Sequence, residues 1–149
     1  MIIDANITGV SYTPLLCSEL KAYDMVALEN GVKAQITVKN YLGGLYYLTS
    51  DEARINGNTI SIIESKHTKS QSIPSLGDIK DGLIKMLLWT NLKDVRVDGR
   101  KYDIKPVLKL TSGSTTPCYS DKQRSLIVKL KQEASVNKFQ LELPQGCEL

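Results

Sequence analysis

The chain has 149 residues, of which 42% are hydrophobic and 23% are charged. That length supports one domain with a substantial core and is too short for two full domains. Lysine and arginine number 19 against 16 acidic residues, which gives a formal charge of +3. This charge permits an anionic partner without requiring one, so function must be sought in local motifs.

The cysteines and the N-terminus argue against several classes of protein. Cys17, Cys118 and Cys147 are widely spaced without a CxxC pair, and His67 is the single histidine, so neither a zinc site nor a disulfide framework is expected. The first ten residues lack the basic start and apolar centre of a signal peptide. Apolar runs are too short to cross a bilayer, and we expect a soluble, cytoplasmic protein without membrane association.

The first predicted elements are a helix and a pair of strands. Thr13 as N-cap, a proline directly after it and the stop signal Asn30-Gly31 predict a helix over about 14 to 29. Residues 32 to 39 and 44 to 55 are rich in β-branched and aromatic side chains. These two segments predict the strands of a hairpin.

The later elements complete an alternating pattern. In order, they are a strand over about 59 to 67, an amphipathic helix over 78 to 92, a strand over 101 to 110, a helix over about 120 to 134 and a short strand at 138 to 143. In the first helix of this group, Ile79, Leu83, Met86 and Leu87 fall at helical spacing and predict a face that covers the sheet. The whole order indicates an α/β domain built on a mixed sheet flanked by helices.

The predicted hairpin at residues 56 to 58 decides which polar side chains share a face. A turn at Asn56-Gly57 places Asp51 opposite Ile62, and a turn at Gly57-Asn58 places it opposite Glu64. In both registers Asp51, Glu64 and Lys66 share one face, because cross-strand partners and alternate residues do so. A strand that simply emerges into water is the ordinary explanation of a Glu-x-Lys sequence, but the facing acid predicts a site here.

Such an arrangement suits a hard divalent cation. Asp51 and Glu64 would lie at most a diagonal of roughly 7 to 8 Å apart, close enough to hold one cation between them. Oxygen ligands favour Mg²⁺ over zinc, with Mn²⁺ as the expected substitute. Lys66 on the same face is placed to orient a water or to support charge that develops on a phosphoryl oxygen.

These residues resemble the motif of the PD-(D/E)XK nuclease superfamily: an acid on the second core strand, a variable hairpin, and an apolar run that ends in Asp or Glu, any residue and Lys. Asp51, Glu64 and Lys66 take the motif positions, while Ser50 stands where the motif's name has proline. The resemblance covers roughly residues 13 to 110. It implies a restriction-endonuclease-like core (αβββαβ) in a single nuclease domain spanning 1–149, with a C-terminal helical extension at about 119–149.

The resemblance also implies roles for individual residues. Asp51 and Glu64 would bind the catalytic metal, Lys66 would position or activate the attacking water, and the backbone carbonyl of Ser65 would add a metal ligand. Glu19 resembles an extra acid that some members supply from their first helix.

Neighbouring polar residues have more open interpretations. Lys69, Ser70 and Gln71 lie in a polar loop placed to contact DNA phosphates, although a merely solvated loop explains them equally well. His67 is a candidate for contact with a phosphate or the metal, but the strand period places it on the opposite face from Glu64, which favours a structural role. Lys80 and Lys85 on the predicted helix either face DNA or face water.

The implied function is a Mg²⁺-dependent endonuclease acting on double-stranded DNA, most like a type II restriction endonuclease. Because cutting both strands most simply uses two active sites, a homodimer is expected. The alternatives are a Holliday-junction-resolvase-like or repair nuclease, a cleavage domain of a longer enzyme, and a catalytically silent DNA-binding or assembly module on the same fold.

Overall fold

The computed structural model describes residues 2–7, 32–39, 44–114 and 118–144. Its elements in chain order are β1 (Ile2–Ile7), β2 (Val32–Lys39), β3 (Leu45–Asn56), β4 (Thr59–Thr68), α1 (Leu76–Thr90), β5 (Leu92–Val97), β6 (Arg100–Lys101), β7 (Asp103–Ser112), α2 (Asp121–Asn137) and β8 (Gln140–Glu142). The helix predicted over 14 to 29, and with it Glu19, lies outside the described residues.

All of these strands belong to one mixed sheet, in the order β6-β5-β1-β2-β3-β4-β7-β8. The pairs β1–β2, β4–β7 and β7–β8 are parallel, and the remaining neighbours are antiparallel. The prediction of an α/β fold on a mixed sheet is therefore confirmed. Strand β4 lies where the antiparallel hairpin meets the parallel half of the sheet.

Two parts of this sheet were not predicted from the sequence. β1 is a short strand whose apolar sequence includes Asp4 and Asn6, and both residue types are uncommon in strands. The β5–β6 hairpin turns at Asp98-Gly99, where both residues have positive φ, 50° and 74°. Asp-Gly is a strong hairpin signal, but it lay in a stretch interpreted as the connection between a helix and a strand.

The hydrophobic core is formed by one face of the sheet together with both helices. Buried members of this cluster include Ile36, Val38, Ile60, Ile62, Leu108 and Leu110 from strands, Ile79, Met86 and Trp89 from α1, and Ile127 and Leu130 from α2. The predicted apolar face of α1 is correct for Ile79 and Met86 but wrong for Leu87, which is 47% exposed. The buried stripe instead continues to Trp89, which lies three positions beyond Met86 on the same helical face.

The helix α2 begins where the capping pattern predicts. The Ser120 hydroxyl accepts a hydrogen bond from the Gln123 backbone N–H, and the Ser120 N–H donates to the Gln123 side chain at 2.9 Å. This reciprocal pair satisfies two of the free N–H groups at the start of the helix. Strand β8 then returns parallel to β7, so the C-terminal segment completes the sheet.

Gly82 sets how closely α1 approaches the sheet. A Cβ at this position would lie 2.6 Å from Leu108 Cδ1 and 3.5 Å from Lys66 Cε. We expect Gly82→Ala to destabilise the protein by about 1–3 kcal/mol through overpacking, despite the better helix propensity of alanine. Chemical unfolding measures the effect.

Gly77→Ala in the same helix is the matched control for this change. A Cβ there would meet only the Ser75 hydroxyl, at 3.6 Å, which is an ordinary contact. The Gly77 variant should match or slightly exceed wild-type stability, since alanine favours a helix. Equal effects of the two substitutions would show that close packing at Gly82 is not what positions α1.

Candidate active site

The β3–β4 hairpin fixes the register of the site. Asn56 pairs with Thr59 and Glu52 pairs with Ile63, so the two-residue turn is Gly57-Asn58. Gly57 has a φ of +59°, a conformation that this kind of turn requires and that glycine adopts without strain. Of the two registers that the sequence allowed, the structure has the one with its turn at Gly57-Asn58, which brings Asp51 level with Glu64.

Strand β3 contains a bulge just where the hairpin reaches the candidate site. Between the pairs Ala34–Ser50 and Val32–Ala53, β2 advances by two residues while β3 advances by three. Ser50 and Ala53 are consequently both buried, at 1% and 0% exposure. The sequence analysis assumed unbroken alternation, which would have placed Asp51 on the buried face; the bulge gives that place to Ser50 and leaves Asp51 exposed.

Asp51 nevertheless contacts β4 directly. Antiparallel pairing ends at Glu52–Ile63, and beyond it the Ser65 backbone N–H donates to Asp51 Oδ2 at 2.8 Å. The N–H and C=O of one strand residue point to the same side, so the Ser65 carbonyl also points toward β3. The neighbouring Lys66 carbonyl points the other way, where it accepts from the Thr111 hydroxyl at 3.4 Å. Asp51 and the Ser65 carbonyl thus lie on one side of β4.

Glu64 is a buried carboxylate held between two ammonium groups. Its residue is 2% exposed, with Lys66 Nζ 2.9 Å from Oε1 and Lys85 Nζ 2.8 Å from Oε2. An ionised carboxylate loses its hydration when buried and persists only with charged or hydrogen-bonding partners. Both oxygens of Glu64 have such a partner.

Lys66 remains protonated in this environment. Partial burial alone would lower the pKa of Lys66, but the hydrogen bond and negative charge of Glu64, with the charges of Asp81 and Asp51, outweigh it. The pKa of Lys66 is therefore raised above the 10.5 of an ordinary lysine. In the metal-free protein at neutral pH, this side chain is a cation and a hydrogen-bond donor.

Lys85 was expected from the sequence to face DNA or water, and its pairing with Glu64 was not predicted. Besides Glu64, its ammonium donates to the Thr49 carbonyl at 3.3 Å and lies 5.9 Å from the centre of the Trp89 ring. The sequence held a usable signal, because residue 85 borders the buried stripe between Gly82 and Trp89. A lysine at the margin of a buried helical face can direct its charge back toward the sheet.

A small cavity adjoins this ion pair. Its volume is about 210 Å³, and its lining consists of Tyr47, Leu48, Thr49, Lys85, Leu88 and Trp89. It is smaller than the roughly 300–1,000 Å³ typical of drug-sized ligand sites. The cavity gives the Lys85 side chain open space next to the Thr49 and Trp89 groups that it contacts.

The polar loop after β4 is exposed but anchored. Lys69, Ser70 and Gln71 are all exposed. The Gln71 carbonyl accepts from the Ser112 hydroxyl at 2.6 Å, and the Gly113 N–H donates to the Thr68 carbonyl at 2.8 Å. A Cβ at Gly113 would be 2.7 Å from the Lys69 carbonyl oxygen, so the close approach requires glycine. The loop is thereby tied to the end of β7.

His67 lies apart from the carboxylates. Its side chain is exposed, and Nδ1 is 3.0 Å from the Thr111 hydroxyl. It alternates with Glu64 and Lys66 along β4 and so projects from the opposite face, as expected from the strand period. The structure does not bring it to the ion pairs.

The oxygen atoms at Asp51 and Glu64 are ligands of the type that Mg²⁺ binds, but two lysines compete for Glu64. The two carboxylates and the Ser65 carbonyl supply oxygen ligands, which hard cations prefer. Within the described ranges, the site contains no group of three or more His, Cys, Asp or Glu side chains. Both Glu64 oxygens also pair with lysine ammonium groups, so a divalent cation at this carboxylate competes with two positive charges.

Comparisons of the whole chain with protein-family models, curated proteins and solved structures found no match. In the part of the chain that the structure describes, no helix has the length and apolar character needed to span a bilayer.

Proposed function

We propose that the protein is a Mg²⁺-dependent endonuclease that hydrolyses DNA phosphodiester bonds, either as a type II restriction endonuclease or as the catalytic domain of one. The observation that carries the proposal is the pairing of buried Glu64 with Lys66 on β4, next to Asp51 at the bulge of β3. A carboxylate and a lysine held in this way beside a second acid suit metal-assisted phosphoryl chemistry. The proposed core is the restriction-endonuclease-like one that the motif implies.

In the proposed site, Asp51, Glu64 and the Ser65 carbonyl hold the metal, for which Mn²⁺ would substitute. When bound, the cation supplies a Lewis acid and lowers the pKa of a coordinated water. The protein's own contribution comes from charge and position. Glu64 fixes the Lys66 ammonium at 2.9 Å, and that ammonium donates to the attacking water or to a phosphoryl oxygen as negative charge accumulates there.

The substrate in this proposal is double-stranded DNA. Lys69, Ser70 and Gln71 form an exposed loop whose backbone is anchored by Ser112 and Gly113. A basic, fixed loop beside the catalytic strand suits contacts to phosphates, which position a duplex without reading its sequence. A homodimer would place one such site on each strand of a two-fold symmetric duplex.

One observation favours a second candidate, a DNA-binding or assembly module without turnover. Glu64 is already neutralised by two lysines, as in an ion-pair cluster whose role is structural. In such a module the cluster would persist in the presence of Mg²⁺. A resolvase-like or repair nuclease would share the catalytic site and differ in the form of DNA that it cuts.

Incubation of purified protein with plasmid DNA and Mg²⁺, with EDTA as control, separates these functions. Discrete fragments are expected for a restriction endonuclease, and smears would indicate a nuclease without sequence preference. Selective cutting of branched DNA would indicate a resolvase-like enzyme. DNA binding without any cleavage, in Mg²⁺ and in Mn²⁺, would contradict the endonuclease and support the silent module.

A further inference from the structure

We infer that Lys85 is a displaceable counter-ion of Glu64: it neutralises the carboxylate in the metal-free protein and withdraws when the divalent cation binds. This inference rests on the proposed metal-dependent function. It assigns a positioning role to a residue on α1 that lies outside the Asp51, Glu64 and Lys66 motif.

The two ammonium groups already at Glu64 favour the withdrawal of one lysine when a cation binds. The carboxylate is 2% exposed, and each of its oxygens lies within 2.9 Å of an ammonium nitrogen. A Mg²⁺ ion that binds one of these oxygens, at about 2.0–2.1 Å, would be a third cation at the same carboxylate. Three cations around one buried carboxylate repel one another strongly where water is scarce. Withdrawal of one lysine relieves this repulsion.

Lys66 is the lysine held in place. Its side chain is 21% exposed and lies beneath α1, where a Cβ at Gly82 would come within 3.5 Å of Lys66 Cε. Packing against α1 at Gly82 and the lower exposure of the side chain both restrict the movement of Lys66 more than that of Lys85. Lys66 therefore stays with Glu64.

Lys85 is the lysine that can move. Its side chain is 38% exposed, and its ammonium already contacts the Thr49 carbonyl at 3.3 Å and lies over the Trp89 ring. Both groups also line the cavity of about 210 Å³ beside the ion pair. Lys85 can thus release Glu64 and keep a carbonyl and an aromatic face as partners, which limits the cost of leaving.

The same movement couples metal binding to DNA binding. A phosphate that approaches Glu64 offers Lys85 a second anionic partner and so weakens its hold on the carboxylate. DNA should then raise the affinity for the metal, and by linkage the metal should raise the affinity for DNA by the same factor. In the DNA-free protein, Lys85 keeps the affinity for the metal low.

The test is calorimetric titration of Mn²⁺ and Mg²⁺ into the DNA-free protein. We expect Lys85→Met to bind the metal about tenfold more tightly than wild type, because the competing ammonium is gone. Lys85→Arg keeps the competing charge and should bind no more tightly than wild type. Lys80→Met carries the same change of charge on an exposed position of the same helix and should leave the affinity unchanged.

The direction of the effect identifies the cause. General damage to the site would weaken metal binding, whereas loss of a competing cation strengthens it. Unchanged or weaker metal affinity in folded Lys85→Met, with wild type that binds metal and cleaves DNA, would overturn the counter-ion role alone. Lys85→Gln provides a second neutral variant if the methionine variant does not fold. No metal binding and no cleavage in any of these proteins would overturn the proposed function as well.

Discussion

Lys66→Ala is expected to reduce DNA cleavage by about 10²–10³-fold or more, the loss typical when a preorganised donor to the developing charge is removed. DNA binding supported by Ca²⁺ should remain nearly intact, because the ammonium acts on the water and the transition state more than on bound substrate. Single-turnover cleavage and equilibrium binding measure the two effects separately. Wild-type cleavage by the variant would exclude the proposed role of Lys66.

A variant in the loop after β4 distinguishes loss of DNA binding from loss of chemistry, and a pH profile tests the charge of Lys66. Lys69→Ala should weaken DNA binding and its salt dependence while leaving the rate at saturating DNA close to wild type. In the metal-free protein, partial burial is outweighed by Glu64, which raises the pKa of Lys66 above that of an ordinary lysine, so the ammonium keeps its proton at neutral and mildly alkaline pH. The wild-type rate should therefore show no decline due to Lys66 across the neutral and mildly alkaline range.

Glu64→Gln is expected to abolish metal binding and cleavage and also to destabilise the fold. Removing one partner of a fully buried ion pair costs about 3–5 kcal/mol. Neither lysine is fully buried, with side chains 21% and 38% exposed, and Lys85 can relax toward water, so we expect a loss nearer about 1–3 kcal/mol. Urea unfolding and Mn²⁺ titration measure the two losses. Unchanged metal affinity in this variant would place the metal site elsewhere.

Two further variants separate the metal effect of Glu64 from its structural effect. Asp51→Asn removes a charge from an exposed side chain but keeps an oxygen that can accept from the Ser65 N–H. It should lose activity with a change in stability of about 0.5 kcal/mol or less. Adding Lys85→Met to Glu64→Gln removes one of the two stranded charges and should recover part of the lost stability.

The hairpin and the two helices were predictable because their signals are local. Glycine at position 57, the apolar alternation of β4 and the capping box at Ser120 each specify structure within a few residues. The bulge in β3 was not predictable in the same way. It arises from pairing with β2, and the residues of β3 alone do not show where the extra residue is accommodated.

The candidate site could be predicted only in part, because some of its contacts are not local in sequence. Glu64 and Lys66 lie two residues apart on one strand, so their pairing follows from the strand period. Lys85 reaches Glu64 from α1, 21 residues away, and that contact depends on how closely Gly82 lets the helix approach. Helix periodicity gives the face of a residue but not the depth of packing beneath it.

The site's contacts are short in sequence compared with those that join β4 to β7, and this affects the order of folding. The Ser65–Asp51 and Lys85–Glu64 bonds span 14 and 21 residues, whereas contacts between β4 and β7 such as Thr111–Lys66 span 45. Closing a shorter loop sacrifices less chain entropy, so contacts of this kind tend to form earlier. During folding, Glu64 would then still be hydrated when the hairpin closes, and would lose its water as α1 brings Lys85 to replace it.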